Sequence, residues 1–130
     1  MTKFLASVST IEEAILAEQL GADIIDLKNP QTGALGAIET KIITEIVTAL
    51  HPDSRVSATI GDLPLLPEIV IPAIQKTAKT GVDFIKIGLF DLDNLYACLD
   101  ALSTTLNLAD IALIGVMFAD QSLNIDYLQD

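Results

Sequence analysis

A chain of 130 residues with a formal net charge of −11 repels nucleic-acid phosphates and anionic membranes, so neither is an expected partner. Its longest apolar run, Ile111 to Ala119, falls far short of the ~20 residues a membrane helix needs. Met1 to Ser7 is too short an apolar start for a signal peptide, so a cytoplasmic protein is expected.

Phe4 to Val8 reads as a first strand, and Ser9 with Glu12 as a capping box. A helix follows from about Ile11 to Leu20, its apolar stripe on Ile11, Ala14, Ile15 and Leu20, and Gly21 stops it. Ile24 to Leu27 is a second strand. A loop from Lys28 to Ala37 leads to a second helix, Glu39 to Leu50, with Ile42, Ile43, Ile46, Val47 and Leu50 on its stripe. Arg55 to Ile60 is a third strand, and Gly61-Asp62-Leu63-Pro64 a turn. A third helix runs from about Pro67 to Thr80 and closes at Gly81. Phe84 to Ile87 is a fourth strand, Asp93 to Leu106 a fourth helix, Ile111 to Phe118 a fifth strand, and the tail from Ser122 the start of another helix. Cys98, the one cysteine, falls among Leu95, Leu99 and Leu102 and reads as a buried structural thiol.

Strands alternating with helices predict parallel βαβ crossovers in a single domain over residues 1–130. Gly21-Ala22-Asp23-Ile24-Ile25 and Gly81-Val82-Asp83-Phe84-Ile85 form a faint internal repeat. Periodicity alone fits a five-stranded doubly wound sheet, complete at this length. It also fits the first part of an eight-stranded (β/α) barrel, which normally takes ~250 residues.

The strand ends favour the barrel. Strand side chains alternate between faces, so Ile24, Asp26 and Lys28 share one face of the second strand, and Phe84, Lys86 and Gly88 one face of the fourth. Lys86 lies between two isoleucines, an odd setting for a solvated lysine. In parallel α/β folds the carboxyl ends of the strands form the active face. A lysine there attacks a carbonyl when deprotonated, or holds a phosphate or oxyanion when charged. Asp26 can move protons or orient the amine. The structural alternative is an Asp–Lys ion pair tying two strands together.

Ser57, Thr59 and Gly61 alternate on the third strand. Asp62 and Asp120 follow the third and fifth strands, each either a cap or an acid near the site. Gly33 and Gly36 in the loop after Lys28 are turn formers, or let backbone N–H groups approach a phosphate. Ser7 closes the list of candidate substrate contacts: Ser7, Gly33, Gly36, Thr59, Gly61, Asp62 and Asp120. Asp91 and Asp93 cap a helix better than they bind a metal, and His51 suits a helix carboxyl end. No zinc cluster, P-loop or dinucleotide fingerprint is present, so neither a metal nor a cofactor is expected.

Four blocks carry a resemblance: Gly21 to Pro30, Gly33 to Ala37, Val56 to Asp62 and Asp83 to Leu89. In order and spacing they resemble the (5-formylfuran-3-yl)methyl phosphate synthase family, the furan-forming lyases of methanofuran biosynthesis in methanogens and methylotrophic bacteria. The resemblance implies a (β/α)₈ barrel that condenses two molecules of glyceraldehyde 3-phosphate, one first isomerised to the ketone. By position it implies Lys28 as the Schiff-base lysine, Lys86 as a second essential lysine and Asp26 as the nearby acid/base. Val116 to Asp120 resembles a further strand end of the family. Family members continue to a later strand with another aspartate and lysine, so this chain reads as a partial barrel of about five of the eight strands. Two rivals stand beside this reading: another Schiff-base lyase of the aldolase type, and a truncated, non-catalytic binding or assembly unit. A hydrophobic share of 51% is high for a small domain. With two open sheet edges it predicts a homo-oligomer in which partial barrels cover one another.

Overall fold

The structure, a computed structural model, describes residues 2–32, 36–89, 95–105 and 111–116. Its elements alternate: β1 (Leu5–Val8), α1 (Ile11–Gln19), β2 (Ile24–Leu27), a 3₁₀ turn (Pro30–Thr32), α2 (Thr40–Ala49), β3 (Arg55–Thr59), α3 (Pro67–Ala78), β4 (Phe84–Gly88), α4 (Leu95–Thr105) and β5 (Ala112–Val116). The expected Ser122 helix and the end of the fifth strand lie outside the described residues.

All four strand pairings are parallel, and the order across the sheet is β1-β2-β3-β4-β5. That order separates the two architectures. A doubly wound sheet reverses direction at a switch point, which sends helices to both faces. Here each crossover steps the same way, and right-handed crossovers then lay every helix on one face. The fold is a parallel (β/α) barrel seen through its first five strands.

The core lies between that helix layer and the outer face of the sheet. Val8, Ile25, Leu27, Val56, Ala58, Ile85 and Ile87 point outward from the strands and are buried. They meet Ala14 and Ala17 of α1, Ile43 and Ile46 of α2, Val70 and Ile74 of α3, and Cys98 and Leu102 of α4. Each fully buried Ile or Val adds roughly 1.5–3 kcal/mol relative to exposure. Cys98 is buried as expected, and burial, helped by the Glu68 carboxylate, pushes its thiol above the usual range.

The first helix departs from the expected pattern in two ways. Its cap is Thr10, whose hydroxyl accepts from the Glu13 N–H at 3.1 Å, while the Glu13 carboxylate accepts from the Ser9 N–H at 3.0 Å. The cap is therefore Thr10 with Glu13 rather than Ser9 with Glu12, and the return bond from the Glu13 carboxylate reaches four residues back, to the Ser9 N–H. The buried stripe is Ala14 and Ala17. Leu20 is 70% exposed because it is the C-cap, where helical periodicity no longer sets its direction.

Gly21 and Gly81 both take positive φ, +84° and +95°, as helix-ending glycines do. The residues after them give the sequence repeat a physical form. The Asp23 N–H donates to the Phe4 carbonyl at 3.0 Å, and its Oδ2 accepts from the Phe4 N–H at 2.7 Å. Asp83 makes the same reciprocal pair with Val56, at 2.8 and 2.9 Å. Each aspartate thus clips the start of one strand to the start of the preceding strand, β1 to β2 and β3 to β4.

Candidate active site

The inner face of the sheet is polar where its middle strands meet. Ser7, Asp26 and Ser57 are register partners across β1, β2 and β3, and Thr59 is the partner of Lys86 across β3 and β4. Period-two alternation aims all five side chains away from the helices. Asp26 is only 4% exposed, and Ser57 and Thr59 are as deeply buried.

A carboxylate this deep needs partners, since an unpaired buried charge is costly. Asp26 has three. Its Oδ1 accepts from the Ser57 hydroxyl at 2.7 Å and lies 3.0 Å from the Lys86 ammonium; its Oδ2 accepts from the Ser7 hydroxyl at 3.2 Å. Lys86 therefore faces the inside, as its strand parity predicts. Asp26 and Lys86 sit two strands apart, ~9–10 Å, and the lysine leans over β3 to close that distance. The ion pair thus joins Asp26 to Lys86, across β3, and not to its strand-mate Lys28.

Lys28 follows the last residue of β2. Its backbone N–H donates to the Val8 carbonyl at 3.1 Å. The half-buried side chain lines a cleft of ≈110 Å³ at the carboxyl ends of β1 and β2, with Ser7, Ser9, Glu13 and Pro30. The Ser7 hydroxyl links this cleft to Asp26. Beside it lies a wider groove of ≈450 Å³, between Ser9, Asn29–Gln31, Ala37–Glu39 and Ile42.

The other candidates fall into place around these groups. Gly36 uses its carbonyl to accept from the Asn29 N–H at 2.8 Å, which ties the two ends of the loop together. The Gly61 N–H donates to the Thr59 hydroxyl at 3.1 Å, and Gly61 has φ +95°, a turn that favours glycine. Asp62 is exposed and does not cap α3, whose N-cap is Leu66 without a side-chain bond. Gly33, Asp91, Asp93 and Asp120 lie outside the described residues. His51 sits at the opposite end of the strands, its N–H donating to Glu18 at 2.8 Å. Among the described residues no group of His, Cys, Asp or Glu could hold a metal ion, and no helix is long and apolar enough to cross a membrane.

Two contributors escape strand-end reading. Ser57 is visible in the alternation of β3, but its role depends on lying opposite Asp26 in register. Glu13 belongs to a helix, and only the cap geometry turns it toward the Lys28 cleft.

The fold resembles two crystal forms of 2,3-dimethylmalate lyase, a PEP mutase/isocitrate lyase superfamily member. The TM-scores are 0.68 and 0.63 at 17% and 18% identity, over 98% and 92% of this chain and 54% and 48% of the other. In sequence, curated relatives named (5-formylfuran-3-yl)methyl phosphate synthase match at higher identity. The Methanopyrus kandleri protein is 43% identical over 68% of this chain and 37% of its own length. That of Methanocaldococcus jannaschii is 42% identical over 74% and 41%, and that of Methanothermobacter thermautotrophicus 34% identical over 89% and 51%. The chain thus spans about half or less of the relatives it matches. The family model described as 4-HFC-P synthase matches residues 4–129, and with the parallel strand order and the relatives' identities, it places this chain in the 4-HFC-P synthase family.

Proposed function

We propose that this chain carries the first part of a furan-phosphate synthase site, in which Lys28 forms an imine with a triose phosphate and the Asp26–Lys86 pair moves protons. The observation that carries this reading is the Asp26 carboxylate, buried on the inner face and held by Ser7, Ser57 and Lys86. A purely structural tie between strands would not need to sit at the carboxyl ends, next to a cleft holding a second lysine. The overall reaction joins two triose phosphates and loses phosphate and water, giving a phosphorylated furan aldehyde. Imine formation needs a deprotonated amine and releases one water. Later steps need groups that take and return protons within hydrogen-bond reach, and the Asp26 carboxylate and Lys86 amine, 3.0 Å apart, supply such a pair.

Incubation with glyceraldehyde 3-phosphate should give furan absorbance, and borohydride should trap added mass on Lys28. Label on Lys86 alone, or on neither lysine, overturns the assignment. We also propose that the open ends of the sheet are covered by a second copy of the chain. Supporting this, Phe4, Leu5, Leu16 and Leu20 at one end and Tyr96, Leu99, Leu113 and Ile114 at the other are exposed large apolar residues.

A further inference from the structure

We infer that Ser7 carries protons between the buried Asp26 carboxylate and a substrate held on Lys28. This role rests on the imine reading and specifies how the acid of that site is reached. Asp26 is 4% exposed, too deep to meet a substrate itself, and its two oxygens are engaged differently. Oδ1 holds two donors, the Ser57 hydroxyl at 2.7 Å and the Lys86 ammonium at 3.0 Å, both from the side of β3 and β4. Oδ2 turns the other way, toward β1, and accepts from the Ser7 hydroxyl at 3.2 Å. Oδ1 is thus the anchored oxygen. The bond on Oδ2 is the longest of the three, and its donor is the one that leads outward.

Ser7 is an exposed residue, so its hydroxyl joins a buried carboxylate to the open inner face. Strand register sets its distance from Lys28. Ser7 is the partner of Asp26, Val8 that of Leu27, and the Lys28 N–H continues the ladder onto the Val8 carbonyl. Ser7 and Lys28 are therefore diagonal neighbours on one face, one strand across and two residues along, with α-carbons about 8 Å apart. A lysine side chain joined to a three-carbon substrate spans that distance. A hydroxyl both donates and accepts, so Ser7 can take one proton as it gives up another. An iminium on Lys28 makes the C–H of the neighbouring carbon acidic. Ser7 Oγ takes that proton while its own passes to Asp26 Oδ2. The C–H electron pair becomes the C=C bond of an enamine, and the C=N π pair settles on nitrogen. The iminium and carboxylate charges are both discharged, and the reverse step returns a proton to carbon.

Two readouts separate this role from imine formation. The full chain is incubated with dihydroxyacetone phosphate in D₂O, and the recovered substrate is weighed for carbon-bound deuterium. Borohydride trapping on Lys28 follows the imine. The parent chain should show both. Ser7→Val, whose methyl takes the place of the hydroxyl, should still trap and should lose roughly a hundredfold in deuterium uptake. Ser7→Thr has the same shape with the hydroxyl restored and should recover most of that uptake. Unchanged uptake in Ser7→Val overturns the inference and leaves the imine standing, since another group then carries the proton. No recovery in Ser7→Thr assigns the loss to packing and also overturns it. Trapping lost along with uptake in Ser7→Val makes Ser7 a substrate contact instead, and a parent that traps without taking up deuterium has no proton to carry; both overturn it. A parent that never traps overturns the imine reading itself, and the role of Ser7 with it.

Discussion

The middle and the ends of the sheet obey different rules. On the inner face of the middle strands, Asp26, Ser57 and Thr59 are buried polar groups that hold hydrogen-bond or ion-pair partners, Lys86 among them. At the ends, apolar groups are exposed: Leu5 at 45% and Ile114 at 36%, both on the inner face. A strand with a neighbour on each side has its backbone paired and its side chains flanked. Among the described residues β1 and β5 each have a neighbour on one side only, and their apolar residues are less covered. The chemistry proposed for this chain sits where the neighbours are complete, and the apolar surface collects where they are not.

Four outcomes would sharpen or break that contrast. The largest belongs to the middle. Asp26→Ala should lower stability by ~3 kcal/mol, because it strands the Lys86 ammonium and the buried Ser57 hydroxyl without an acceptor. It should also abolish borohydride trapping. A denaturant midpoint close to that of the parent chain would show that the ion pair holds nothing together.

The ends come next. Light scattering at micromolar concentration should find a dimer or larger assembly, and Leu5→Asp combined with Ile114→Asp should return it to monomer by undoing contacts worth ~25 cal/mol per Å² of apolar surface. A well-behaved monomeric parent with low dye binding would refute mutual covering.

The two aspartate clips allow a matched comparison, since they share geometry and differ in place. Asp83→Ala, against the part-buried Val56 N–H, should cost ~2 kcal/mol, and Asp23→Ala, against the exposed Phe4 N–H, ~1 kcal/mol or less. Equal costs in thermal unfolding would mean that position in the sheet does not matter.

The smallest effect is a pH dependence at the amino ends of the strands. The Ser54 hydroxyl, then the His51 N–H, hold the Glu18 carboxyl below its ordinary 4.5. A lowered folded-state value stabilises above the unfolded one and is lost as pH falls through the folded one. Glu18→Gln should therefore cost ~0.5–1 kcal/mol at neutral pH, and the difference from the parent should shrink below about pH 4.5. A gap that persists unchanged into acid would assign the effect to packing instead.

Much of the site was legible because strand parity is a local rule. Two-residue alternation is enough to turn Asp26 and Lys86 inward, and helix-stopping glycines at 21 and 81 are enough to end α1 and α3. The partners of Asp26 were not legible in that way. Ser57 is 31 residues away and Lys86 is 60 residues away (86 − 26), so only the pairing of separate strands brings them together. The exposure of Leu99 was not legible for a related reason. Helical spacing marks a face as apolar but does not say what lies opposite it, and Leu99 is 48% exposed beside the buried Cys98.

The sequence by itself determined the alternation of strands and helices, the glycine stops, the inward face of each strand and, through its motif blocks, the family. These follow from φ preferences, side-chain alternation and apolar periodicity, all of which act within a few residues. Only the tertiary structure decided that the strands run in the order 1-2-3-4-5, that Asp26 pairs with Lys86 rather than Lys28, and that Glu13 shares a cleft with Lys28. Those depend on how crossovers of twenty to thirty residues set one strand beside the next, and a side chain reaching over β3 has no trace in the residues near it.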